Sequence, residues 1–345
     1  MNLIGINSEI FTLMEKYSKN RTSVVILNWN GENLLKRFLG RVVDNTEGAD
    51  VIIVDNASTD GSIEWINDNF PSIRVIAFEK NYGYAEGYNR AISILKEYDN
   101  IILLNSDAAP KKGWIKPLEE SLSQSNVVAV QPKILSESDP RKFEYAGAAG
   151  GFLDCNGYPF CRGRIFNTIE EDKGQYDTAD EIFWASGAAL AVYRDAYLKA
   201  GGMDSLFFAH MEEIDLCWRL KLDGGKIVYQ PKSVIYHLGG GSLDSSSPRK
   251  TYLNFRNNLL MLYKNLPKSR WKKKFLIRRR LLDSLAWVKF IITGNFKHGT
   301  AILKAHRDYR KMKVNYSEFP TENLLKRDCQ RNILSDYYLM HKKTF

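Results

Sequence analysis

Cysteine is scarce here, with four residues in 345: Cys155, Cys161, Cys217 and Cys329. They form no CxxC pair, and their scatter excludes a thiolate zinc site and a disulfide framework, so a reducing cytosol is the simplest setting. No repeat period and no low-complexity tract is found, which argues against a solenoid or a chain dominated by disorder. Long apolar runs are also missing. The longest, LLDSLAWVKFIITG from Leu281, is too short to span a bilayer and is cut by Asp283 and Lys289, although it could lie on a membrane surface. The first twenty residues carry Glu9 and Glu15 and no basic start, so they read as a short helix or arm, not as a signal peptide. Acidic residues are outnumbered, giving a formal charge of +9. The excess concentrates at 264–313, where Arg270, Lys272, Lys273, Lys274, Arg278, Arg279 and Arg280 fall close together and call for an anionic partner or solvent.

What remains is an ordinary globular composition, 44% hydrophobic and 26% charged, long enough for one large domain with an appendage. From Thr22 the pattern alternates between strand and helix. SVVIL reads as a strand, Leu34, Leu35, Phe38 and Leu39 as a helix, DVIIVD as a second strand, then a helix with Ile63, Ile66 and Phe70 on one face. Ser58, Thr59 or Asp60 is placed to cap that helix. RVIAF, a helix from Tyr84, and IILLN follow. This alternation predicts a mainly parallel sheet covered by helices on both faces, with ligands at the carboxyl ends of its strands. After about Gly150 the pattern turns to loops; FWASGAALAVY is expected as a strand, 211–222 as a helix, KIVYQP and SVIYH as two short strands, and the basic region beyond Ser246 as mostly helical.

The polar clusters sit at the strand ends: Asn28 and Asn30 after the first, Asp55 and Asn56 after the second, Asn81 after the third, Asn105, Ser106 and Asp107 after the fourth. An Asp at such an edge can bind a hard cation together with ligand phosphates, or cap a turn before Pro110. NYGYAEGYNRA joins a Gly-bearing turn to a helix and allows close backbone approach to phosphate. HMEEIDLCWR crowds Glu212, Glu213 and Asp215 at a helix start. The helix dipole favours acids there and Asp215 can pair with Arg219, but three acids exceed the needs of a cap, so one is a candidate general base. His237, at the end of SVIYH, is either structural or a metal ligand.

With these residues in order, the chain resembles family 2 glycosyltransferases, inverting nucleotide-sugar enzymes of GT-A fold, and within them the rhamnosyltransferase-like branch. The resemblance covers roughly 23–241 and rests on SVVILNWNG, VIIVDNASTDGS, NYGYAEGYNRA, LLNSDAAP, WASGAALAVYRDAYLKAGGMDSLFFAHMEEIDLCWRL and IYHLGGGS. It implies an α/β architecture with a helical basic C-terminal appendage: an arm at 1–20, a catalytic domain at 21–246 (nucleotide half 21–132, acceptor half 133–246) and a C-terminal region at 247–345. It implies that Asp55 contacts the base, and that Asn28, Asn30, Asn56, Asn81, Tyr84, Asn89, Asn105, Ser106 and Asp107 surround the nucleotide sugar, with Trp184, Ser186 and Gly187 as further contacts. Asn105-Ser106-Asp107 takes the place of the Asp-X-Asp motif, so Asp107 and His237 would hold a Mg²⁺ or Mn²⁺ ion, while Asn105 offers a neutral oxygen only. Glu213 matches the family's base, with Glu212 and Asp215 as competitors.

The implied reaction is an in-line displacement from a UDP-sugar or dTDP-rhamnose to a saccharide or lipid-linked acceptor, as in cell-surface polysaccharide synthesis. The implied location is the cytoplasm or the cytoplasmic face of the membrane. Trp271, Phe275, Leu276, Leu281 and Trp287, set among Lys and Arg, suit an anionic membrane surface, whereas the plainer reading packs these helices on the catalytic domain or on another subunit, as in a homo-oligomer. Basic residues mixed with Trp and Ile do not suit nucleic acid. A pyrophosphorylase would need a phosphate loop bearing Arg or Lys after the first strand, where NWNGENLL stands. An inactive nucleotide-sugar-binding or scaffold protein of the same fold is the other alternative.

Overall fold

A computed structural model describes residues 21–239 and 247–345. The arm expected at 1–20 and most of the Gly-rich stretch after Leu238 lie outside the described residues. The first half builds as the alternation predicts: β1 (Thr22–Asn28), α1 (Glu32–Asn45), β2 (Asp50–Asp55), α2 (Ser62–Asn69), β3 (Arg74–Ala77), α3 (Gly83–Ile94) and β4 (Asn100–Leu104). Their apolar runs are continuous because both faces of a parallel sheet are covered. Val25, Ile52, Val54, Ile101 and Leu103 enter one core cluster, whereas Val24, Ile26, Ile53, Ile102 and Leu104 enter the other, the period of two that a strand imposes. Helix α1 answers with Leu35, Phe38, Leu39 and Val42 buried, one face at helical spacing.

The second half adds β5 (Ala108–Pro110), α4 (Ile115–Leu122), β6 (Val127–Ser136), short strands β7 (Gly151–Leu153), β8 (Pro159–Cys161), β9 (Arg164–Ile165) and β10 (Thr168–Ile169), then β11 (Asp180–Ile182), β12 (Ala189–Tyr193), α5 (Arg194–Lys199), α6 (Glu212–Leu222) and β13 (Lys226–His237). The main sheet runs β11-β13-β6-β12-β4-β1-β2-β3, with β5 on β13. The β4-β1-β2-β3 section is parallel, and β12 enters antiparallel between β4 and β6.

Three expectations are corrected. FWASGAALAVY is not one strand, since only Ala189–Tyr193 pairs in β12 and the preceding residues form a connecting loop. KIVYQP and SVIYH are one strand of 12 residues, broken in register between Gln230 and Val234; Pro231, lacking an N–H, marks the irregularity. The loops after Gly150 contain a small four-stranded sheet, whose two- and three-residue strands are too short to show a period.

The C-terminal region forms α7 (Pro248–Asn265), α8 (Arg270–Ile292), α9 (Phe296–Met312), α10 (Leu324–Asp328) and α11 (Ile333–Tyr338). Helices α7 to α10 share the core of the sheet: Leu259 to Leu262, Phe275, Tyr309 and Leu324 belong to the same cluster as Phe207 and Trp218, while Ile333 of α11 joins a separate small cluster with Phe160 and Ile165. Polar clamps add to the apolar contact. Asn258 Nδ2 donates to the Gly157 carbonyl at 2.9 Å, and Arg279 donates to Asn258 Oδ1 at 2.7 Å and to Asp283 at 3.0 Å. Among the described residues no helix is long and apolar enough to cross a membrane.

Candidate functional site

The register of β1 on β2 sets Asn28 opposite Asp55 at the carboxyl edge. Asn28 Nδ2 donates to Asp55 Oδ1 at 3.0 Å, the Ser58 hydroxyl to the same oxygen at 2.6 Å, and the Ser58 N–H to Oδ2 at 2.8 Å. Asp55 is fully buried and so ties the loop after β2 to the end of β1. Asn30, at φ 50°, accepts the Thr59 N–H at 2.7 Å. Asp60 accepts from Ser62 and from the Glu32 N–H, and so serves the loop and helix start. Next along the edge, Asn56 donates to Asn81 Oδ1 and to the Gly83 carbonyl, both at 3.0 Å. The structure thus brings Asn28, Asn30, Asp55, Asn56 and Asn81 together as one scaffold. Asn89 stands apart. Its amide donates to the Met203 carbonyl at 2.8 Å and accepts from the Met203 N–H and the Tyr197 hydroxyl, which occupies it in joining α3 to the loop before α6. Trp29, unnoticed in the sequence, is 57% exposed at this edge and offers a flat face for a ring.

At the end of β4, Asp107 and His237 are both buried, because β5 pairs with β13 and sets His237 opposite Ala108. Asp107 Oδ1 lies 3.0 Å from His237 Nε2, and Asn105 Nδ2 lies 3.3 Å from the same nitrogen. On the far side of the ring, Glu144 Oε2 lies 3.4 Å from Nδ1, which has no hydrogen-bond partner among the described residues. Burial lowers the imidazole pKa, but the Asp107 and Glu144 carboxylates outweigh it and raise it to about 10. Among the described residues no three His, Cys, Asp or Glu side chains are grouped to hold an ion. Two protein ligands suffice for a cation that also takes substrate phosphate oxygens; the carboxylate and phosphate oxygens are of the kind that suits Mg²⁺ or Mn²⁺, and His237 would join them only by giving up the proton that its raised pKa holds. Glu144, invisible in the sequence because FEYAG has no periodic pattern, stands on the side of the ring where the outer carboxylate of a metal-bound His would lie.

The acids of α6 divide sharply. Asp215 is fully buried and accepts from Arg219 at 2.9 Å, Lys264 at 3.0 Å and Asn265 at 2.7 Å. Burial pushes its pKa up, but these partners outweigh it and hold the carboxyl below its usual range. Among the described residues Glu212 and Glu213 have no such cations, and one oxygen of each, Oε2, is buried without a partner. Burial raises both pKa values, the neighbouring Glu213 charge raises Glu212 further, and Glu213 reaches about 7.

The helix start is held by backbone strain. Phe208, His210 and Met211 all have positive φ, a conformation that a non-glycine residue keeps only when its surroundings enforce it. The enforcer is Asn257 on α7, whose Nδ2 lies 2.9, 2.8 and 2.7 Å from the carbonyls of Phe207, Ala209 and His210. His210 is a second residue the sequence did not single out. Burial lowers its pKa to about 4, so its imidazole is neutral, and its Nε2 has no partner.

One segment joins the two acidic sites. The Asn105 N–H donates to the Ala188 carbonyl at 3.0 Å, the Tyr84 hydroxyl to the Gly187 carbonyl at 2.8 Å, and the Ala185 N–H meets Cys217 Sγ of α6 at 3.4 Å. Burial, and then the nearby charges that include Glu212 and Glu213, raise the Tyr84 pKa. A Cβ on Gly187 would meet the Tyr84 hydroxyl at 2.8 Å, so only glycine lets the two approach. Ser186 donates to the Ala146 carbonyl at 2.7 Å, and the Trp184 indole donates to the Phe152 carbonyl at 2.9 Å, so both brace the loop. A cavity of ≈ 330 Å³ lined by Thr46, Asp50, Ser72 and Tyr98 lies at the opposite, amino edge of the sheet, away from all of these groups.

Comparison with known proteins follows this geometry. A model of the family described as Glycosyl transferase family 2 matches residues 23–195. An N-acetylglucosaminyl-diphospho-decaprenol L-rhamnosyltransferase of Mycobacterium tuberculosis is 29% identical over 233 residues, covering 62% of this chain and 75% of the relative. Of solved structures, GalNAc-T7 with UDP, GalNAc and Mn²⁺ superposes with a TM-score of 0.55 at 17% identity, covering 72% of this chain and 48% of its own. The mannosyltransferase PcManGT from Pyrobaculum calidifontis, in complex with GDP-Man and Mn²⁺, superposes with a TM-score of 0.51 at 14% identity, covering 85% and 83%. These likenesses identify the architecture as GT-A.

Proposed function

This chain belongs to glycosyl transferase family 2, and from that premise we propose that it moves a sugar, with inversion, from a nucleoside diphosphate sugar to a hydroxyl of a saccharide or lipid-linked saccharide. The relative in Mycobacterium tuberculosis is named for a lipid-diphosphate acceptor, which supports that acceptor class; a UDP-sugar or dTDP-rhamnose is the proposed donor. The observation that carries the reading is that the 185–188 segment abuts both the Asn105–Asp107 turn and the helix bearing two carboxylates without cationic partners.

In this reading, residues 21–132 bind the nucleotide and 133–246 the acceptor. Trp29 stacks on the base, while Asp55, Asn56 and Asn81 hold the loops around it in shape. Glu213, desolvated and raised toward neutrality, takes the proton of the acceptor hydroxyl as its oxygen attacks the anomeric carbon. The bond to the diphosphate breaks on the opposite side, which inverts the configuration. Asp107 and His237 are the residues that would hold a divalent cation, with Glu144 orienting the imidazole. When bound, such an ion offsets negative charge on the departing diphosphate.

Asn105 favours a second reading, a protein that binds nucleotide sugar without turning it over, because it offers only a neutral oxygen at the place that the resemblance assigns to the first Asp of an Asp-X-Asp motif. A thermal-shift panel of nucleotide sugars with and without Mn²⁺ tests donor binding, since a ligand of the native state raises its melting temperature. Product analysis with a disaccharide acceptor then separates the readings: binding with no transfer by the intact chain supports the second, and no stabilisation by any nucleotide sugar rejects both.

A further inference from the structure

Helix α8 is folded with its polarity reversed. Its inner side carries Lys272, Arg279 and Asp283 beside Phe275, all buried. Each charged group has a partner: Lys272 Nζ donates to the Leu266 carbonyl at 2.9 Å, and Asp283 accepts from Arg279 at 3.0 Å and lies 3.2 Å from His306. Its outer side carries Ile277, Leu281, Leu285, Val288 and Ile292. At 3.6 residues per turn these five fall within an arc of about 80°. Their exposure runs from 41% at Val288 to 79% at Ile292. Phe296, just past the helix, is exposed as well, and so are Leu339 and Met340, which follow Tyr338, whose ring centre lies 5.8 Å from Lys289 Nζ. A helix facing water has the opposite pattern, and a contiguous apolar patch marks a contact surface. Four of the five apolar residues expected to make this face do not: Phe275 is buried, and Trp271, Leu276 and Trp287 are partly covered. Only Leu281 belongs to it.

The border of the stripe decides what covers it. Lys273, Arg278 and Lys289 are exposed along its edges, and Lys274 is exposed one turn before it begins. From 270 to 307 the chain has one carboxylate, Asp283, and it is the buried one. A second copy docking through the same face across a twofold axis would set these cations against their equivalents. An anionic bilayer satisfies both parts, taking the apolar side chains into the headgroup boundary and pairing phosphates with the Lys and Arg border.

We propose that the outer face of α8, extended by Phe296, lies in the plane of an anionic lipid surface and docks the protein there. The proposal rests on the transferase reading only for its purpose, presentation of the pocket to a lipid-anchored acceptor; its evidence does not pass through the catalytic residues. The test is flotation of the full chain with vesicles of phosphatidylcholine alone or mixed with phosphatidylglycerol, at low and high salt. The expected result is capture by the anionic vesicles, weakened by salt, with a loss of about tenfold or more in Leu281→Asp/Leu285→Asp and a smaller loss in Lys273→Glu/Lys274→Glu. Both pairs are exposed, and circular dichroism and melting temperature report whether the variants remain folded. Equal capture of native chain and folded variants, or no capture by any vesicle, overturns the proposal. So does light scattering that shows a native dimer made monomeric by Leu281→Asp/Leu285→Asp, which would assign the face to a second copy. Nucleotide-sugar thermal shifts on the same samples report on the transferase reading separately.

Discussion

The first turn of α6 holds two acidic corners that face different worlds. Asp215 looks toward α7 and receives Arg219, Lys264 and Asn265. Glu212 and Glu213 look away from those cations, and each keeps a buried oxygen without a partner. The helix dipole acts on all three alike, so the difference comes from neighbours across the fold. A buried carboxylate with its hydrogen bonds complete is an anchor, because disturbing it leaves charges stranded. A buried carboxylate oxygen left without a partner is unfavourable for folding and marks a candidate functional group, completed by a ligand or a proton. By this criterion the same short acidic segment contains a structural fastener and a candidate base.

The largest effect that sharpens this contrast is on rate. Glu213→Gln keeps size and burial but removes the proton acceptor, so sugar transfer should fall by about 10²- to 10⁴-fold, while the thermal shift caused by donor stays as it was. Glu212→Gln should fall less. If Glu213→Gln retains full turnover, Glu213 is not the base.

The other corner should respond in stability. Asp215→Ala removes the carboxylate that Arg219, Lys264 and Asn265 share, although Lys264 keeps Asp204 and Arg219 keeps the carbonyls of Ala200 and Gly202; the loss should be about 3 kcal/mol, the low end for a broken buried pair, read from urea unfolding followed by tryptophan fluorescence. Donor binding by the fraction that remains folded should persist. A shift of only a few tenths of a kcal/mol would put Asp215 on the same footing as a surface acid and dissolve the contrast.

Much of this was legible in the sequence because buried parallel strands advertise themselves. TSVVILN and DVIIVD are apolar until they reach the carboxyl edge of the sheet, and that rule places Asn28 and Asp55 at this edge, where the loops bury both. Residues whose roles depend on distant partners were not legible. Glu144 sits in a loop without periodicity and becomes meaningful only when β13 brings His237 to it. The fate of Asp215 was half legible: Arg219 lies one turn away, but Lys264 and Asn265 come from a helix some fifty residues on. The outer face of α8 was misread for a physical reason, since a run mixing Leu, Ile, Lys and Arg does not say which set faces inward when the buried charges find partners.

The Asp107 site extends the comparison to a third acid. Glu144→Gln retains a hydrogen-bonding side chain but removes the charge facing His237 Nδ1. Loss of an outer carboxylate of this kind should weaken Mn²⁺ binding by about 10- to 100-fold, measured calorimetrically with nucleoside diphosphate present, with little change in melting temperature when metal is absent. Unchanged affinity would make Glu144 a loop brace, a role its bond from the Ala146 N–H already gives it.

The smallest effect is the most direct comparison of the two corners, because their pKa displacements have opposite signs. Asp215 is held below its unfolded value, so the stability it contributes is present above that unfolded value and is lost as pH falls through the folded one, in the acid range. Glu212 and Glu213 are raised above theirs; their contribution is largest below the unfolded carboxylate range and declines as pH rises through the folded values, which for Glu213 is about 7. Activity should follow the opposite course to that decline, since the base works only when deprotonated: kcat should drop by about tenfold for each pH unit below the titration of the Glu212–Glu213 pair. In Glu213→Gln the residual rate should lose this dependence, and the unfolding free energy should stop declining between about pH 5 and pH 7, the interval between the unfolded and folded values of Glu213, if Glu213 is the member that titrates there. A decline that survives in Glu213→Gln but vanishes in Glu212→Gln would transfer the proton, and with it the role of base, to the neighbouring residue.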